Sequence, residues 1–202
     1  MDMMSNIIVI EKPETILYED VHNLLWIANE ENRRNGFVLK TSELSGEELR
    51  VRLGEDGKCL VAMDGSRLVG TLFVYFATRS RWYYKGLIAE FGMIAIHPDY
   101  QGKHILRKLI ELGIDYANDC GCLVIELDTA DTNMRAINAY KHFGFSPVSY
   151  RANPGGDHYS VIMAKWLDKC PFSNWKVHYK YHLKKCYVKL RYKPDKEKRF
   201  GI

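Results

Sequence analysis

The stretch Met93-Ile94-Ala95-Ile96-His97-Pro98-Asp99-Tyr100-Gln101-Gly102-Lys103-His104-Ile105-Leu106-Arg107-Lys108-Leu109 decides the fold. It opens as an apolar strand, Leu87 to Ile96, and breaks at Pro98 and Gly102, residues that mark a sharp connection. It then resumes with helical spacing: Ile105, Leu106, Leu109, Ile110, Gly113 and Ala117 share one face, and Arg107, Lys108, Glu111, Asp115 and Asn118 the other. A loop that turns straight into a helix leaves the first backbone N–H groups without intrahelical partners. They point outward at the positive end of the helix dipole. An anion such as a pyrophosphate satisfies both. Residues 102–107 (Gly102, Lys103, His104, Ile105, Leu106 and Arg107) would supply those N–H groups. Gln101 would close the loop, and Lys103 or Arg107 would add charge at its rim.

Upstream, Asn6 to Ile10 reads as a short strand. Leu17 to Glu31 reads as a helix with Val21, Leu24, Leu25 and Ala28 inward, stopped by Asn35-Gly36. Ser45 with Glu48 three residues later forms a capping-box pattern for a short helix ending near Gly54. Cys59 to Met63 and Leu68 to Ala77 flank Asp64-Gly65, a hairpin signal. Downstream, Leu123 to Leu127 reads as a buried strand and Met134 to Phe143 as a helix closed by Gly144. Phe145 to Arg151 and His158 to Trp166 read as an antiparallel pair around Asn153-Pro154-Gly155-Gly156. Hairpins beside helical crossovers imply an α/β (α+β) mixed sheet with helices on both faces.

Apolar residues make up 47% of the 202 and charged residues 27%, which suits a packed core and excludes a disordered or fibrous chain. No apolar run reaches the roughly 18 residues of a membrane span, and residues 1–10 show no signal-peptide pattern. The cysteines, Cys59, Cys120, Cys122, Cys170 and Cys186, are odd in number and scattered. Reduced thiols in a cytoplasmic protein are therefore expected, with no metal site. Residues 167–202 hold eleven Lys/Arg against three Asp/Glu, a net of +8; the whole chain carries +4, so the remainder carries −4. A domain over 1–166 with a basic extension over 167–202 is the expected organisation.

A second segment reads as a helix followed by Gly-Phe: Asn133-Met134-Arg135-Ala136-Ile137-Asn138-Ala139-Tyr140-Lys141-His142-Phe143-Gly144-Phe145. Together with the first it resembles the GNAT superfamily of N-acetyltransferases, over roughly residues 6–166. The resemblance implies the GNAT acyl-CoA N-acyltransferase fold, acetyl-CoA as co-substrate, and transfer of an acetyl group to a primary amine by direct attack. The family pattern at the anion loop is Gln/Arg-x-x-Gly-x-Gly/Ala. Gln101 matches it, whereas His104 and Leu106 stand where the two glycines belong. Early helix positions need no positive φ, so these residues are expected to be tolerated there. A non-catalytic binding module is the alternative that this departure raises.

The resemblance, together with the chemistry of acyl transfer, implies further roles. An amine with pKa near 10 must lose a proton before it attacks. Glu90, on the strand leading into the loop, is the expected general base; an ion-paired strand glutamate is the alternative. Backbone N–H groups at Met93 and Ile94 would polarise the thioester carbonyl, and Ile96 would extend the ladder along the pantetheine arm. Tyr140 matches the family's tyrosine and would protonate the leaving thiolate; a core tyrosine is the alternative. Asn133 would bond the pantetheine or cap its helix.

The acceptor, a small molecule or a peptide amine, is not specified. The family builds acceptor pockets from segments that here are Glu30 to Gly36, Arg79 to Gly86 and Tyr150 to His158. The turn Arg79-Ser80-Arg81-Trp82-Tyr83-Tyr84-Lys85 would hold a sugar, a carboxylate or a peptide, or form a solvated hairpin tip. In the tail, Phe172, Trp175, Tyr179, Leu183, Cys186 and Leu190 fall at helical spacing, with Lys176, Lys180, Lys184, Lys185, Lys189 and Arg191 on other faces. Such a basic amphipathic helix suits an anionic membrane surface, an acidic partner or nucleic acid through 171–202, or packing on its own domain. A homodimer is left open.

Overall fold

Apolar residues at alternate positions of Phe91, Met93 and Ala95, and longer apolar runs in the strands before them, build a sheet that is buried along much of its length. The computed structural model describes residues 7–34, 43–152, 159–167 and 174–191. Among them the order is β1 (Ile8–Glu11), α1 (Tyr18–Ala28), α2 (Glu30–Arg34), α3 (Gly46–Leu53), β2 (Lys58–Asp64), β3 (Arg67–Ser80), β4 (Lys85–Ile96), α4 (Ile105–Asp119), β5 (Val124–Ala130), α5 (Met134–His142), β6 (Ser146–Ala152), β7 (Tyr159–Trp166) and α6 (Asn174–Arg191). The strands join in one mixed seven-stranded sheet, ordered β1-β2-β3-β4-β5-β7-β6. The expected α/β class and element order hold. The Asn35-Gly36 stop and the Asn153-Pro154-Gly155-Gly156 turn lie outside the described residues, as do Cys170 and Phe172.

The chain forms two compact units, Met1–Phe76 with Phe91–Ala117, and Ala77–Glu90 with Asn118–Ile202. In the first, Val21 and Leu25 of α1 and Leu49 and Leu53 of α3 pack on Cys59, Val61, Phe73, Met93 and Ala95 of the strands. Burying each large aliphatic side chain stabilises by roughly 1.5–3 kcal/mol. The helix predicted over 17–31 turns at Asn29, whose side-chain amide donates to the Leu25 carbonyl at 2.8 Å, and α2 begins beyond it. The Ser45 box forms as expected: the Glu48 N–H donates to Ser45 Oγ at 3.3 Å, and the Ser45 N–H to the Glu48 carboxylate at 2.8 Å. At the hairpin, Asp64 pairs with Arg67, so Gly65 and Ser66 form the turn, and only Gly65 needs positive φ, at 59°.

In the second unit Tyr83, Ile88, Val124, Val148 and Ala164 form a separate core. Strand β7 pairs antiparallel with both β5 and β6. Edge strand β6 tolerates Pro147 beside a register shift between Pro147 and Ser149. Helix α6 packs on β6 through Tyr181 and Val188, each 6% exposed. Tyr179, Leu183, Cys186 and Leu190 face solvent instead. The helix is where the spacing puts it, but the face it buries is the other one.

Candidate active site

The first unit carries the strand–loop–helix segment. Met93 lies inside β4 yet has φ of 49°, and it is buried. A non-glycine residue at positive φ within a strand breaks the regular ladder, as a bulge does, and stores strain of the sort found at functional sites. Ile94 and Ile96 alternate with the buried Met93 and Ala95 and are half-buried.

Beyond Ile96 the backbone is pinned on both sides. The His97 N–H donates to the Val69 carbonyl at 2.9 Å, and Tyr100 Oη donates to Asp64 Oδ2 at 2.7 Å. Pro98–Tyr100 is one turn of 3-10 helix capped by His97 Nδ1, which accepts from the Asp99 N–H at 3.3 Å. Gly70 of β3 lets α4 start close to the sheet, since a Cβ there would stand 3.0 Å from both Ile105 Cγ2 and Ile96 Cδ1.

The loop then carries two left-handed residues, Gly102 at φ 80° and His104 at φ 59°. This corrects the expectation that the position of His104 needs no positive φ. The chain takes the left-handed turn there with a side chain in place, at roughly 1–2 kcal/mol. His104 precedes α4, and its carbonyl accepts from the Lys108 N–H at 3.3 Å. Gln101, Gly102, Lys103, His104 and Arg107 are exposed, Ile105 is buried and Leu106 half-buried. A Cβ on Gly102 would meet nothing within 4 Å, and the first turn of α4 holds no acidic residue. Lys103 Nζ lies 4.4 Å from the Tyr100 ring centroid, and Arg107 Nη1 3.9 Å from Glu111. These residues fit a pyrophosphate: outward N–H groups, open space and positive charge at the rim.

The second unit carries Glu90, Asn133 and Tyr140. Asn133 caps α5, its Oδ1 accepting from the Ala136 N–H at 3.1 Å. Tyr140 is buried, edge-on to Phe145 at 6.2 Å between ring centroids. Burial, with Asp128 adding to it, pushes its phenol above the ordinary tyrosine range, so it is protonated at neutral pH but a weaker acid toward a thiolate than a free tyrosine. Glu90 is ion-paired: Arg79 Nε lies 2.7 Å from Oε1 and Nη2 3.3 Å from Oε2, with Arg81 Nη2 3.5 Å from Oε1.

Sequence reasoning missed Glu126, the one buried carboxylate among the described residues. Arg81 grips it through Nε at 3.0 Å and Nη2 at 2.8 Å, and Tyr83 Oη donates to it. Burial and that bond push the Tyr83 phenol up. The available signal was a lone charge within the apolar run Val124-Ile125-Glu126-Leu127, which needs partners wherever it is buried. The turn 79–85 is accordingly only in part a solvated tip: Arg79, Ser80, Trp82 and Lys85 are exposed, whereas Tyr83 is 2% exposed. Of the remaining acceptor segments, Glu30 pairs with Arg34 on an exposed face. Residues 35–36 and 153–158 lie outside the described residues.

Three comparisons bear on this arrangement. The chain is 32% identical over 91 residues to N-alpha-acetyltransferase 30 of Saccharomyces cerevisiae, covering 43% of this chain and 51% of that protein. It is 31% identical over 75 residues to L-amino acid N-acyltransferase MnaT of Escherichia coli, covering 37% and 41%. The matched stretch thus spans about half of the first of these relatives and 41% of the second. Its fold is similar to that of the ribosomal-protein-S18-alanine N-acetyltransferase of Escherichia coli, with TM-score 0.61 at 19% identity, covering 81% of this chain and 95% of that one. A solved NatC complex bound to Gag peptide and CoA is similar at TM-score 0.61 and 18% identity, covering 80% and 99%. The model of the Acetyltransferase (GNAT) family matches residues 13–145, from α1 through α5 with both motif segments, and the chain belongs to that family.

Proposed function

We propose that the chain transfers an acetyl group from acetyl-CoA to a primary amine by direct attack. The observation that carries this reading is the first unit's strained β4 residue, Met93, followed by an exposed loop and a helix N-terminus fit for a pyrophosphate. Residues 101–107 bind the donor's phosphates. The Met93 and Ile94 N–H groups receive the thioester oxygen as charge develops on it, Ile96 extends the contact along the pantetheine arm, and Asn133 orients it from its capping position.

In the reaction Glu90, directly or through water, takes a proton from the acceptor's ammonium. The freed amine nitrogen attacks the thioester carbon, the carbon–sulfur bond breaks, and Tyr140 gives its proton to the leaving thiolate. No acyl-enzyme is needed when both substrates are held side by side. A second reading is favoured by the burial of Glu126: with Arg81 shared between the two carboxylates, Glu126 is the base and Glu90 positions Arg81. Glu90→Gln and Glu126→Gln separate the two, because only loss of the base lowers kcat by about 10²–10⁴ at saturating acceptor.

The likeness to N-alpha-acetyltransferase 30 makes the free α-amine of a peptide one acceptor class to test, beside amino sugars and small amines. Calorimetric titration with acetyl-CoA is the first experiment. Binding at 100 times Kd should also raise stability by about 2.7 kcal/mol. An amine screen read by thiol release follows. Absence of binding to acetyl-CoA and to longer acyl-CoAs overturns the enzyme reading in favour of a non-catalytic module.

A further inference from the structure

Helix α6 presents an apolar stripe to solvent rather than to the protein. Tyr179 (59% exposed), Leu183 (53%), Tyr187 (55%) and Leu190 (86%) fall four, four and three residues apart on one side, with the exposed Cys186 among them. Tyr181 and Val188, on the opposite side, are the residues buried against the domain. Tyr181 packs edge-on to Tyr150 of β6 at 6.3 Å. The helix is therefore anchored through the side opposite the stripe.

Cations flank the stripe on both sides. At 100° per residue, Lys180 and Lys184 fall between the stripe and the domain on one flank, and Lys185 and Lys189 on the other. Their contacts agree: Lys180 Nζ lies 4.7 Å from the Trp82 ring centroid and Lys184 Nζ 2.9 Å from Ser149 Oγ. Lys185 Nζ lies 5.6 Å from the Tyr150 ring centroid and Lys189 Nζ 3.9 Å from Asp131. The 18 residues of α6 include six Lys/Arg and no Asp/Glu. Among the described residues no helix is long and apolar enough to cross a membrane.

We infer that α6 docks the protein on an anionic lipid surface. An apolar stripe between two rows of lysine matches a surface that is apolar below and negative above. The two exposed tyrosines match its boundary, where a ring can be buried with its hydroxyl in water. The lysine stems are long enough to turn from the domain toward headgroup phosphates. Charge on both flanks, with no acidic residue anywhere on the helix, favours a uniformly negative plane over a second copy of this helix, which would bring like charges together.

The test is vesicle co-sedimentation of the full chain at low salt, with phosphatidylserine/phosphatidylcholine vesicles against phosphatidylcholine alone, beside sedimentation velocity without lipid. The expected result is binding to the anionic vesicles only, weakened by salt. The exposed double variant Leu183→Asp/Leu190→Asp should bind at least about tenfold more weakly, and Lys180→Gln about fivefold. Val51→Asp, an equally exposed site on α3, should change nothing. Each variant's circular dichroism and acetyl-CoA binding should match the parent's. Failure of the parent to bind anionic vesicles, equal binding to neutral ones, or binding that survives the double variant overturns the inference. A dimer in solution that the double variant dissolves also overturns it, assigning the stripe to a second copy.

Discussion

The guanidinium of Arg79 lies against both carboxylate oxygens of Glu90, at 2.7 and 3.3 Å, and the Arg79 side chain is 43% exposed. A carboxylate held this way already has a cation beside it. An acceptor ammonium reaching Glu90 must replace Arg79 or wait for it to swing out. Exposed ion pairs contribute only about 0–1 kcal/mol, so the exchange is cheap, and its energy enters acceptor affinity. Arg79→Gln should therefore lower KM for a cationic acceptor severalfold with little change in kcat. Steady-state kinetics check this; a raised KM would instead mean that Arg79 itself contacts the acceptor.

Tyr140→Phe keeps the ring that packs on Phe145 and removes only the hydroxyl. Melting temperature and acetyl-CoA affinity should hold, while kcat falls by about 10²–10⁴. A chemically activated thioester with a more acidic thiol should recover much of that loss, since its leaving group needs no proton. Unchanged turnover in the variant would make Tyr140 a core residue.

Arg81→Met should destabilise the protein by about 3 kcal/mol, measured by urea unfolding. Glu126, 4% exposed at its side chain, would be left with the Tyr83 hydroxyl as its described partner. Glu126→Gln should cost less, because an amide can still accept from Tyr83 and requires no countercharge.

His104→Gly should stabilise by up to about 1 kcal/mol, since relief of the left-handed strain outweighs the extra freedom glycine gives the unfolded chain. It should leave acetyl-CoA binding intact or tighten it, by opening the backbone to phosphate. Thermal unfolding and calorimetry on one preparation check both. A tenfold weaker donor would show that the imidazole itself holds phosphate.

Stability should fall steadily above about pH 9. Burial pushes the Cys59 thiol up to about 12 and the Cys122 thiol up to about 11, and it raises the Tyr83, Tyr140 and Tyr150 phenols. Each group keeps its proton longer folded than unfolded. Its contribution is thus complete below the unfolded pKa, about 8.5 for thiols and 10 for phenols, and is lost as pH rises toward the folded value. The slope is at most about 1.4 kcal/mol per pH unit for each group. Melting temperatures from pH 7 to 11 should decline first in the thiol range; Cys59→Ala should soften that early part.

Local signals were readable and distant ones were not. Ser45 and Glu48 are three residues apart, so the pattern that predicts their bonds also makes them. The same holds for Asn133 and Ala136. The Arg81–Glu126 pair joins residues 45 apart, and no spacing rule reaches that far. In α6 both sides carry aromatic residues, so periodicity finds the helix without choosing its buried face; Tyr150 beneath Tyr181 makes that choice. The left-handed turn at His104 reflects how the loop is pinned at His97 and Tyr100, which a preference for glycine at that position only hints at.

The chain enters its first unit, leaves at Ala77, returns at Phe91 and departs finally after Ala117. No single cut yields either unit whole. On the ribosome the first unit therefore stays incomplete through the synthesis of residues 77–117, roughly 2 to 8 seconds. Its apolar strands must wait, uncovered, for β4 and α4 to emerge. Slow synthesis or a truncated message should leave an aggregation-prone fragment rather than a smaller folded protein, and fusion partners belong at the termini rather than at any internal seam.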